Sequence, residues 1–252
     1  MRTIDLNCDM GESFGAWKMG NDSAIMEHIS SANIACGFHA GDASTMRATA
    51  ELAIQKGVAI GAHPSYPDLQ GFGRRAMSMS PQEVYDIVLY QVAAIKGLGE
   101  ALGGKLTHVK PHGALYNQAA KDVSLASAIS SAISSIDTSL VLFGLSGSHS
   151  IAEAAKLGLR TASEVFADRT YQPDGTLTPR SIPGAVIDDE QRSIEQVLQM
   201  IETQTVTATD GTTVEIKADT ICIHGDGPNA LEFAAAIRGA LDKAGVSVRP
   251  LV

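Results

Sequence analysis

The sequence predicts an α/β fold: a single (β/α) barrel of about seven parallel strands, with a small β-hairpin as an excursion from the main sheet. Strand-like and helical segments alternate along the whole chain, which is typical of parallel α/β architectures. Five apolar runs end in a burst of polar and ionisable residues, as buried strands do at a ligand-binding edge. The 252 residues, 44% of them hydrophobic, suit a substantial core. No linker, internal repeat or low-complexity segment interrupts the chain, so we expect residues 1–252 to form one domain.

The first half of the chain contains four predicted strands and two clear helices. The strands are residues 3–8, 33–36, 58–62 and 106–110. One helix spans residues 44–56 and stops at Gly57, a residue type that favours helix ends. The other helix begins at Ser80, has Pro in its first turn and Glu83 in a capping box, and extends to about residue 102.

The second half continues the alternation and then departs from it. Further strands are predicted at residues 140–143, 160–163, 220–224 and 246–249. Helices are predicted at residues 114–134, 151–157, 190–202 and 229–244. Residues 205–217 alternate β-branched and polar residues around Asp210-Gly211, which indicates a hairpin. Residues 164–187 are rich in Pro, Gly and Asp but contain apolar anchors, so we expect an ordered lid.

Composition excludes several classes of protein. The net charge of −9 argues against a nucleic-acid-binding protein, which needs a basic patch. The chain has no polybasic run and no apolar segment of membrane-spanning length, so no membrane association is expected. The N-terminal residues lack the apolar core of a signal peptide, and a cytoplasmic location is therefore expected. The three cysteines form no CxxC pair and are expected to be buried, reduced thiols.

The first strand carries polar residues on one face. Alternate residues of a strand point to the same side, so Asp5, Asn7 and Asp9 are expected to point together into the barrel or its mouth. A buried charge is costly unless it is paired or binds something, and Asp5 is equally compatible with a salt bridge inside the barrel. Asn7, Asp9 and the following Glu12 are candidate site residues.

Histidines follow three further strands. His39 and His63 come after the second and third strands, and His224 ends the strand at residues 220–224, with Asp226 two residues later. An Asp and two His from different strands could bind Zn²⁺ or a similar ion. They could equally act as general acids and bases without a metal. The chain has no HExxH motif, and the spacing of these three histidines leaves both alternatives open.

The fourth strand is followed by Lys110 and His112. A lysine that is half desolvated at a strand end can have a lowered pKa or bind an anion. His112, with Tyr116 and Asn117 in the next helical turn, is interpreted as a polar wall of the pocket.

Two later segments offer anion-binding groups. The loop that contains Gly144 and Ser146 follows a strand and opens a helix, and such a loop can bind phosphate or carboxylate or can simply be a tight turn. In the long segment, Arg169 or Arg180 could bind a substrate carboxylate through two hydrogen bonds, with Asp168 beside them.

The polar blocks resemble the signatures of a known family. LNCDMGESFG, NIACGFHAGD, GAHPSYPD, VKPHGALYN and EVFADRTY are similar to blocks of the LamB/YcsF family. The resemblance covers nearly the whole chain and implies the seven-stranded (β/α) barrel of the glycoside hydrolase/deacetylase superfamily. It also implies one component of a 5-oxoprolinase, which opens 5-oxo-L-proline to L-glutamate while hydrolysing ATP to ADP and phosphate. The implied partners are two further subunits, B and C.

The resemblance leads to a hypothesis for the roles of the candidate residues. The residues assigned to catalysis are Asp9, Glu12, His39, His63, Lys110 and His224. The carboxylates would activate water, the histidines would transfer protons, and the lysine would stabilise the developing oxyanion. Two alternatives are a stand-alone metal-dependent deacetylase or amidohydrolase and a non-catalytic lactam-binding subunit.

Metal binding is a separate alternative for the candidate residues. Deacetylases of the superfamily bind a divalent metal through an Asp and an HxxxH pair, whereas His39 and His63 lie on separate strands. Asp9, His39 and His63 are the candidate ligands.

Overall fold

Seven parallel strands form a closed barrel in the computed structural model, which describes residues 2–223 and 230–251. The strands of the barrel are β1 (Arg2–Met10), β2 (Ser31–Ala35), β3 (Ala59–His63), β4 (Leu106–Val109), β5 (Val141–Leu145), β6 (Arg160–Phe166) and β9 (Thr220–Ile223). Each strand pairs in parallel with the next, and the barrel closes because β9 pairs with β1 in the register Asp5–Thr220 to Cys8–Ile223. The predicted fold class is confirmed.

Three strands lie outside the barrel. β7 (Thr205–Thr207) and β8 (Thr213–Glu215) form the predicted antiparallel hairpin. Gly211 adopts φ +86° in its turn, a conformation that favours glycine. The short β10 (Val246–Val248) pairs with residues 2–4 of β1. β9 pairs with the next residues along the same edge of β1.

Helices cover the outside of the barrel, and their apolar sides face the strands. They are α1 (Asp22–Ile25), α2 (Ala43–Lys56), α3 (Pro81–Ala101), α4 (Gly113–Ala119), α5 (Val123–Ile136), α6 (His149–Lys156), α7 (Glu190–Thr203) and α8 (Ala230–Lys243). The start and stop signals act as predicted at two of them: Ser80 and Glu83 form the capping box of α3, and Gly57 ends α2 with φ 68°. In the described part of the chain, no helix is both long and apolar enough to cross a membrane.

The structure corrects two predicted elements and adds a helix that was not predicted. The helix predicted at residues 114–134 is two helices, because the Asp122 carboxylate accepts hydrogen bonds from the amides of Ser124 and Leu125 and so starts α5 anew. The sixth strand continues to Phe166, so Glu164 belongs to the barrel and not to the loop. The four-residue α1 was not predicted.

The long segment after β6 is ordered, as expected. Arg169 and Tyr171 form isolated bridges with Val186 and Leu177, respectively. The Tyr171 side chain is fully buried, and its hydroxyl accepts a hydrogen bond from the amide of Phe166 at 2.8 Å. We call residues 167–187 the lid because part of this segment lines the cavity at the carboxyl end of the barrel.

Candidate functional site

A buried lysine is the centre of the site. Lys110 directly follows β4, and its Nζ lies 2.9 Å from Asp9 Oδ1 and 2.9 Å from Glu164 Oε1. The ammonium also donates to Asn7 Oδ1 at 3.2 Å and lies 3.0 Å from Cys222 Sγ. These partners belong to β1, β6 and β9, none of which neighbours β4. Lys110 therefore crosses the mouth of the barrel and connects its opposite walls.

A network of uncharged polar groups supports the ion pairs from below. Asn7 Nδ2 donates to Glu164 Oε1 at 3.0 Å and to Thr220 Oγ1 at 2.7 Å. Asn33 Nδ2 donates to Asn7 Oδ1 at 2.7 Å and to Asp9 Oδ1 at 2.9 Å. His108 Nε2 lies 2.9 Å from Asn33 Oδ1. Because buried polar groups are stabilising only when they are hydrogen-bonded, this network fixes the positions of Asp9 and Glu164.

Asp5 lies deeper in the barrel, among hydroxyl groups. Its carboxylate accepts hydrogen bonds from the hydroxyls of Ser30 at 2.7 Å, Ser31 at 2.6 Å and Thr220. Burial raises the pKa of Asp5, and the hydroxyl donors partly offset this rise. These donors take the place of the salt bridge that the sequence allowed for Asp5.

Three histidines and a glutamate form a second cluster beside Asp9. His63 ends β3, and its Nε2 lies 3.2 Å from Asp9 Oδ2 and 2.9 Å from His112 Nδ1. The ring of His112 stacks on that of His39 at a centroid distance of 3.9 Å. His39 Nε2 lies 3.2 Å from Glu12 Oε1. The polar groups that follow the first four barrel strands therefore meet here.

Backbone carbonyl groups fix the orientation of two of these rings. His63 Nδ1 lies 2.7 Å from the carbonyl oxygen of Lys110, and His112 Nε2 lies 2.9 Å from that of Phe72. A carbonyl oxygen only accepts hydrogen bonds, so each of these nitrogens carries the hydrogen. His63 Nε2 and His112 Nδ1 are consequently the nitrogens that face the rest of the cluster.

Burial sets the charge states of the cluster. It lowers the pKa of His39 and His112 well below the ordinary range for histidine, and the neighbouring imidazoles lower it further. Burial alone would also discharge Lys110, but the charges of Asp9 and Glu164 outweigh it and raise the pKa of Lys110. The sequence allowed a lowered pKa for this lysine, and the structure shows the opposite because two carboxylates are in contact with it.

A cavity of about 560 Å³ opens above these residues. Asp9, His63, Lys110 and His112 line its floor, and Tyr116 and Phe166 line its wall. Its rim carries the cationic side chains of Arg74, Lys121 and Arg180 and the carboxylate of Asp122, and the buried Arg169 also lines the cavity. This volume is typical of small-molecule sites, and a cationic rim on a chain of net charge −9 favours an anionic ligand.

The two lid arginines differ in their availability to a ligand. Arg169 is buried, and its guanidinium donates to the carbonyl oxygens of Ala185 and Thr178, so it stabilises the lid. Burial, and then the neighbouring Arg180, lower the pKa of Arg169 to about 10, which leaves it charged at neutral pH. Arg180 is exposed at the rim, where it can reach a ligand.

A second cavity of about 370 Å³ lies on the other side of the histidines. Glu12 and His39 line it together with Phe14, Trp17 and Phe72, and Arg74 lines both cavities. The histidine cluster therefore separates two cavities, with His63 and His112 facing the larger one and Glu12 and His39 facing the smaller.

The predicted site residues fall into three groups. Those that line one of the two cavities or contact the Lys110 network are Asn7, Asp9, Glu12, His39, His63, Lys110, His112, Tyr116, Asn117, Arg169 and Arg180. Gly144, Ser146 and Asp168 do not line either cavity, and the amide of Ser146 donates to the carbonyl oxygen of Glu164. His224 and Asp226 lie outside the described residues.

Sequence reasoning missed four polar residues of the site. Asn33, His108, Glu164 and Cys222 all lie within strands and contact the Lys110 network or its supports. Asn33 is directly beside Asp9 in the β1–β2 register. The sequence contained a signal for them, because a polar residue inside a buried strand indicates a site residue, as it does for Asn7 and Asp9 in β1.

His108 and His112 have the HxxxH spacing of the deacetylase pair, but their side chains diverge. His108 lies within β4 and contacts Asn33 and Phe143 inside the barrel. His112 follows the strand and joins the histidine cluster at its mouth. The two rings therefore cannot act as a metal-binding pair, and only His112 belongs to the second cluster.

The second cluster has the donor atoms that a metal ion requires. One ligand atom from each of Glu12, His39, His63 and His112 lies within 4.8 Å of the others. Imidazole nitrogen and carboxylate oxygen are typical zinc ligands. His39 Nδ1 is buried and has no hydrogen-bond partner within the described ranges. Two of the three predicted ligands, His39 and His63, belong to this group, and Asp9 borders it.

Comparison with known proteins identifies close relatives of the chain. The model of the LamB/YcsF family matches residues 4–252. The A subunit of 5-oxoprolinase from Bordetella pertussis is 59% identical over 246 residues, which are 98% of each chain. The crystal structure of the lactam utilization protein from Thermus thermophilus has a TM-score of 0.92 and 48% identity, and the match covers 98% of this chain and 99% of that one.

A more distant structure has the same fold. The family 4 carbohydrate esterase from Streptomyces lividans matches with a TM-score of 0.50 and 13% identity, covering all of this chain and 93% of that one. This likeness shows that the two chains share a barrel fold.

Proposed function

Because the chain belongs to the LamB/YcsF family, we propose that it is the A subunit of an ATP-dependent 5-oxoprolinase. In this proposal the chain binds 5-oxo-L-proline or its phosphorylated form in the large cavity and takes part in its opening to L-glutamate. Further subunits, B and C, complete the enzyme, and ATP is hydrolysed to ADP and phosphate. The use of ATP agrees with the cytoplasmic location expected from the sequence.

One observation carries the assignment of roles: the ammonium of Lys110, held at 2.9 Å from both Asp9 and Glu164, lies on the floor of the cavity beside His63. An unstrained lactam is a resonance-stabilised amide, and phosphorylation of its oxygen makes the ring carbon a better electrophile. Water then adds to that carbon, the carbon–nitrogen bond breaks, and the nitrogen takes up a proton. A second water releases the phosphate from the resulting carboxyl phosphate.

Each group on the floor suits one part of this reaction. Asp9 is 8% exposed, faces the cavity and is positioned to accept a proton from water. Lys110 places a fixed positive charge where negative charge develops on oxygen. Exposed Arg180 is suited to the substrate carboxylate, while Arg169 keeps the lid in place.

The test is steady-state turnover of 5-oxoproline by the assembled subunits, with Asp9→Asn as the main variant. The exchange preserves shape but removes the base, so we expect kcat to fall by roughly 10²–10⁴-fold. Lys110→Met should lower kcat by roughly 10²–10³-fold if the charge stabilises an oxyanion. Asp86→Asn, an exposed position on α3, is the matched control and should retain wild-type turnover.

Assembly and thermal unfolding of each variant must be measured alongside activity, because unpaired buried charges destabilise proteins. Wild-type kcat in folded, assembled Asp9→Asn and Lys110→Met would remove the catalytic assignment and favour a subunit that only delivers the lactam. Turnover by the isolated chain without ATP or partners would favour the stand-alone hydrolase.

A further inference from the structure

The contact between His63 and His112 has no hydrogen between the two nitrogens when both rings are neutral. A neutral imidazole carries one N–H, and in both rings that hydrogen is directed at a backbone carbonyl oxygen, of Lys110 and of Phe72. The remaining nitrogens, His63 Nε2 and His112 Nδ1, lie 2.9 Å apart. Two lone pairs therefore face each other at hydrogen-bond distance. A proton or a metal ion at these nitrogens would remove the repulsion, and Asp9 Oδ2, 3.2 Å from His63 Nε2, adds a negative charge beside them.

Two separations between the proposed ligand atoms lie on either side of the value for a metal site, and the third is within 4.8 Å. In tetrahedral zinc sites with bonds of about 2.0–2.1 Å, neighbouring ligand atoms are separated by about 3.3 Å. Here His63 Nε2 and His112 Nδ1 are 2.9 Å apart, and His112 Nδ1 and Glu12 Oε1 are 3.7 Å apart. The carbonyl groups behind both rings are the usual supports of metal-binding histidines.

The stacking of His39 on His112 decides which atoms can bind together. The two rings are nearly parallel, with an interplanar angle of 6° and centroids 3.9 Å apart. Imidazole lone pairs lie in the ring plane, so two stacked rings cannot both direct them at one ion. His63 is nearly perpendicular to His112, at 83°, and suits a shared ion. His39 then supports the site through Glu12, whose Oε1 is 3.2 Å from its Nε2.

We propose that Glu12, His63 and His112 bind one divalent transition-metal ion, for which Zn²⁺ is the best match. Two imidazoles and a carboxylate leave the fourth tetrahedral position open, as in zinc sites that bind water or substrate. His63 and His112 line the large cavity, so this position is accessible to a ligand there. The proposal goes beyond the 5-oxoprolinase assignment and does not depend on it.

The test is metal binding by the isolated chain, without lactam or nucleotide. The chain is stripped with a chelator and titrated with Zn²⁺ and, for spectroscopy, with Co²⁺. We expect about one ion per chain by elemental analysis and the absorption bands of tetrahedral Co²⁺. His63→Gln and His112→Gln should each weaken Zn²⁺ binding by at least roughly 10–100-fold. His149→Gln, an exposed histidine at the start of α6, is the control and should bind like the wild type.

Circular dichroism establishes that each variant is folded before binding is compared. If a histidine variant does not fold, Glu12→Gln, which keeps the side-chain shape, provides the ligand test and should also weaken binding at least tenfold. The proposal is overturned if the folded wild type takes up no ion, if the ligand variants bind like the wild type, or if His149→Gln loses as much affinity as they do. Because no lactam turnover is measured, such a failure leaves the proposed function untouched.

Discussion

Asn7 shows how a single side chain can fix the geometry of the whole site. Its amide group makes four hydrogen bonds: Nδ2 donates to Glu164 and Thr220, and Oδ1 accepts from Asn33 and Lys110. An amide has two donor hydrogens and two acceptor lone pairs, so every one is used. No other residue of similar size offers both kinds of group in this arrangement. The uncharged side chain of Asn7 therefore forms hydrogen bonds with both the anion Glu164 and the cation Lys110.

We expect Asn7→Asp to destabilise the protein strongly. The new carboxylate would replace the donor that lies 3.0 Å from Glu164 Oε1, so two buried anions would face each other and the bond to Thr220 would lose its donor. The loss of a buried hydrogen-bond partner combined with repulsion should lower the free energy of unfolding by roughly 3 kcal/mol. Urea denaturation followed by circular dichroism measures this change.

The control for this variant is Asn21→Asp, the same exchange at an exposed position before α1. It should change the free energy of unfolding by less than about 0.5 kcal/mol. Equal stabilities of Asn7→Asp and Asn21→Asp would show that the network around Asn7 does not carry the stability assigned to it.

At the scale of elements, the loop between β3 and α3 holds the histidine cluster in place. Phe72 adopts φ +54°, which is rare for a residue other than glycine, and its carbonyl oxygen accepts the hydrogen bond of His112. Its ring packs edge-on against His39 and His112 at centroid distances of 5.5 Å and 5.2 Å. The next residue, Gly73, adopts φ +62° and accepts a hydrogen bond from the amide of Ala114. The loop therefore connects the two histidine-bearing segments.

Gly73→Ala tests the role of this loop. A methyl group at Gly73 would overlap Ser65 Oγ and lie 2.8 Å from His112 Cδ2 and 2.9 Å from His39 Cβ, so the stacked rings would have to move. Strain from the left-handed backbone and the overpacking together should destabilise the protein by about 2–4 kcal/mol. The reacting groups would lose their alignment, and turnover by the assembled subunits should fall as well.

Gly97→Ala is the matched control for Gly73→Ala. Gly97 lies inside α3, and a methyl group there meets no atom within 4 Å. Since alanine favours helix more than glycine, this variant should be more stable than the wild type by roughly 0.5–1 kcal/mol. Thermal unfolding of the two variants should therefore shift in opposite directions, and a shift in the same direction would contradict the assigned role of the loop.

The elements predicted correctly from the sequence are those with local signals. The capping box at Ser80 and the turn at Asp210-Gly211 depend on residues close in the chain, and both are present. The break before α5 also had a local signal in Asp122. The apolar and alanine-rich residues on both sides of Asp122 favour helix, so the sequence predicted one continuous helix. The end of β6 had no local signal, since Glu164 is tolerated in a strand only because Lys110 and Asn7 reach it from other strands.

At the scale of the whole molecule, barrel closure brings the scattered groups together. The pairing of β9 with β1 places Cys222 beside Asn7, and Lys110 reaches both from the far side of the barrel. The sequence predicts that the carboxyl ends of the strands meet at one edge, so the gathering of the polar groups there follows from the fold class alone. Which atoms touch across the barrel depends on register and side-chain conformation, which no local pattern contains. The tautomers of His63 and His112 and the raised pKa of Lys110 are of this second kind.

Closure also buries a histidine whose titration should make the stability of the molecule depend on pH. His108 lies inside the barrel, stacked on Phe143 at 4.2 Å, and burial lowers its pKa from 6.5 to about 3. The unfolded chain binds a proton near pH 6.5, whereas the folded chain does not until about pH 3. His108 therefore contributes stability that is fully present above pH 6.5 and is lost as the pH falls toward 3.

The size of this contribution follows from proton linkage. A single histidine of this kind should remove about 2 kcal/mol of unfolding free energy between pH 7 and pH 5. His108→Gln should be less stable than the wild type at pH 7, because the packing on Phe143 and the contact with Asn33 are altered, but it should lose about 2 kcal/mol less on acidification.

The measurement is the free energy of unfolding in urea at several pH values for the wild type, His108→Gln and the exposed-position control His149→Gln. The difference between wild type and His108→Gln must shrink as the pH falls, and parallel curves would mean that His108 is protonated equally in the folded and unfolded chains.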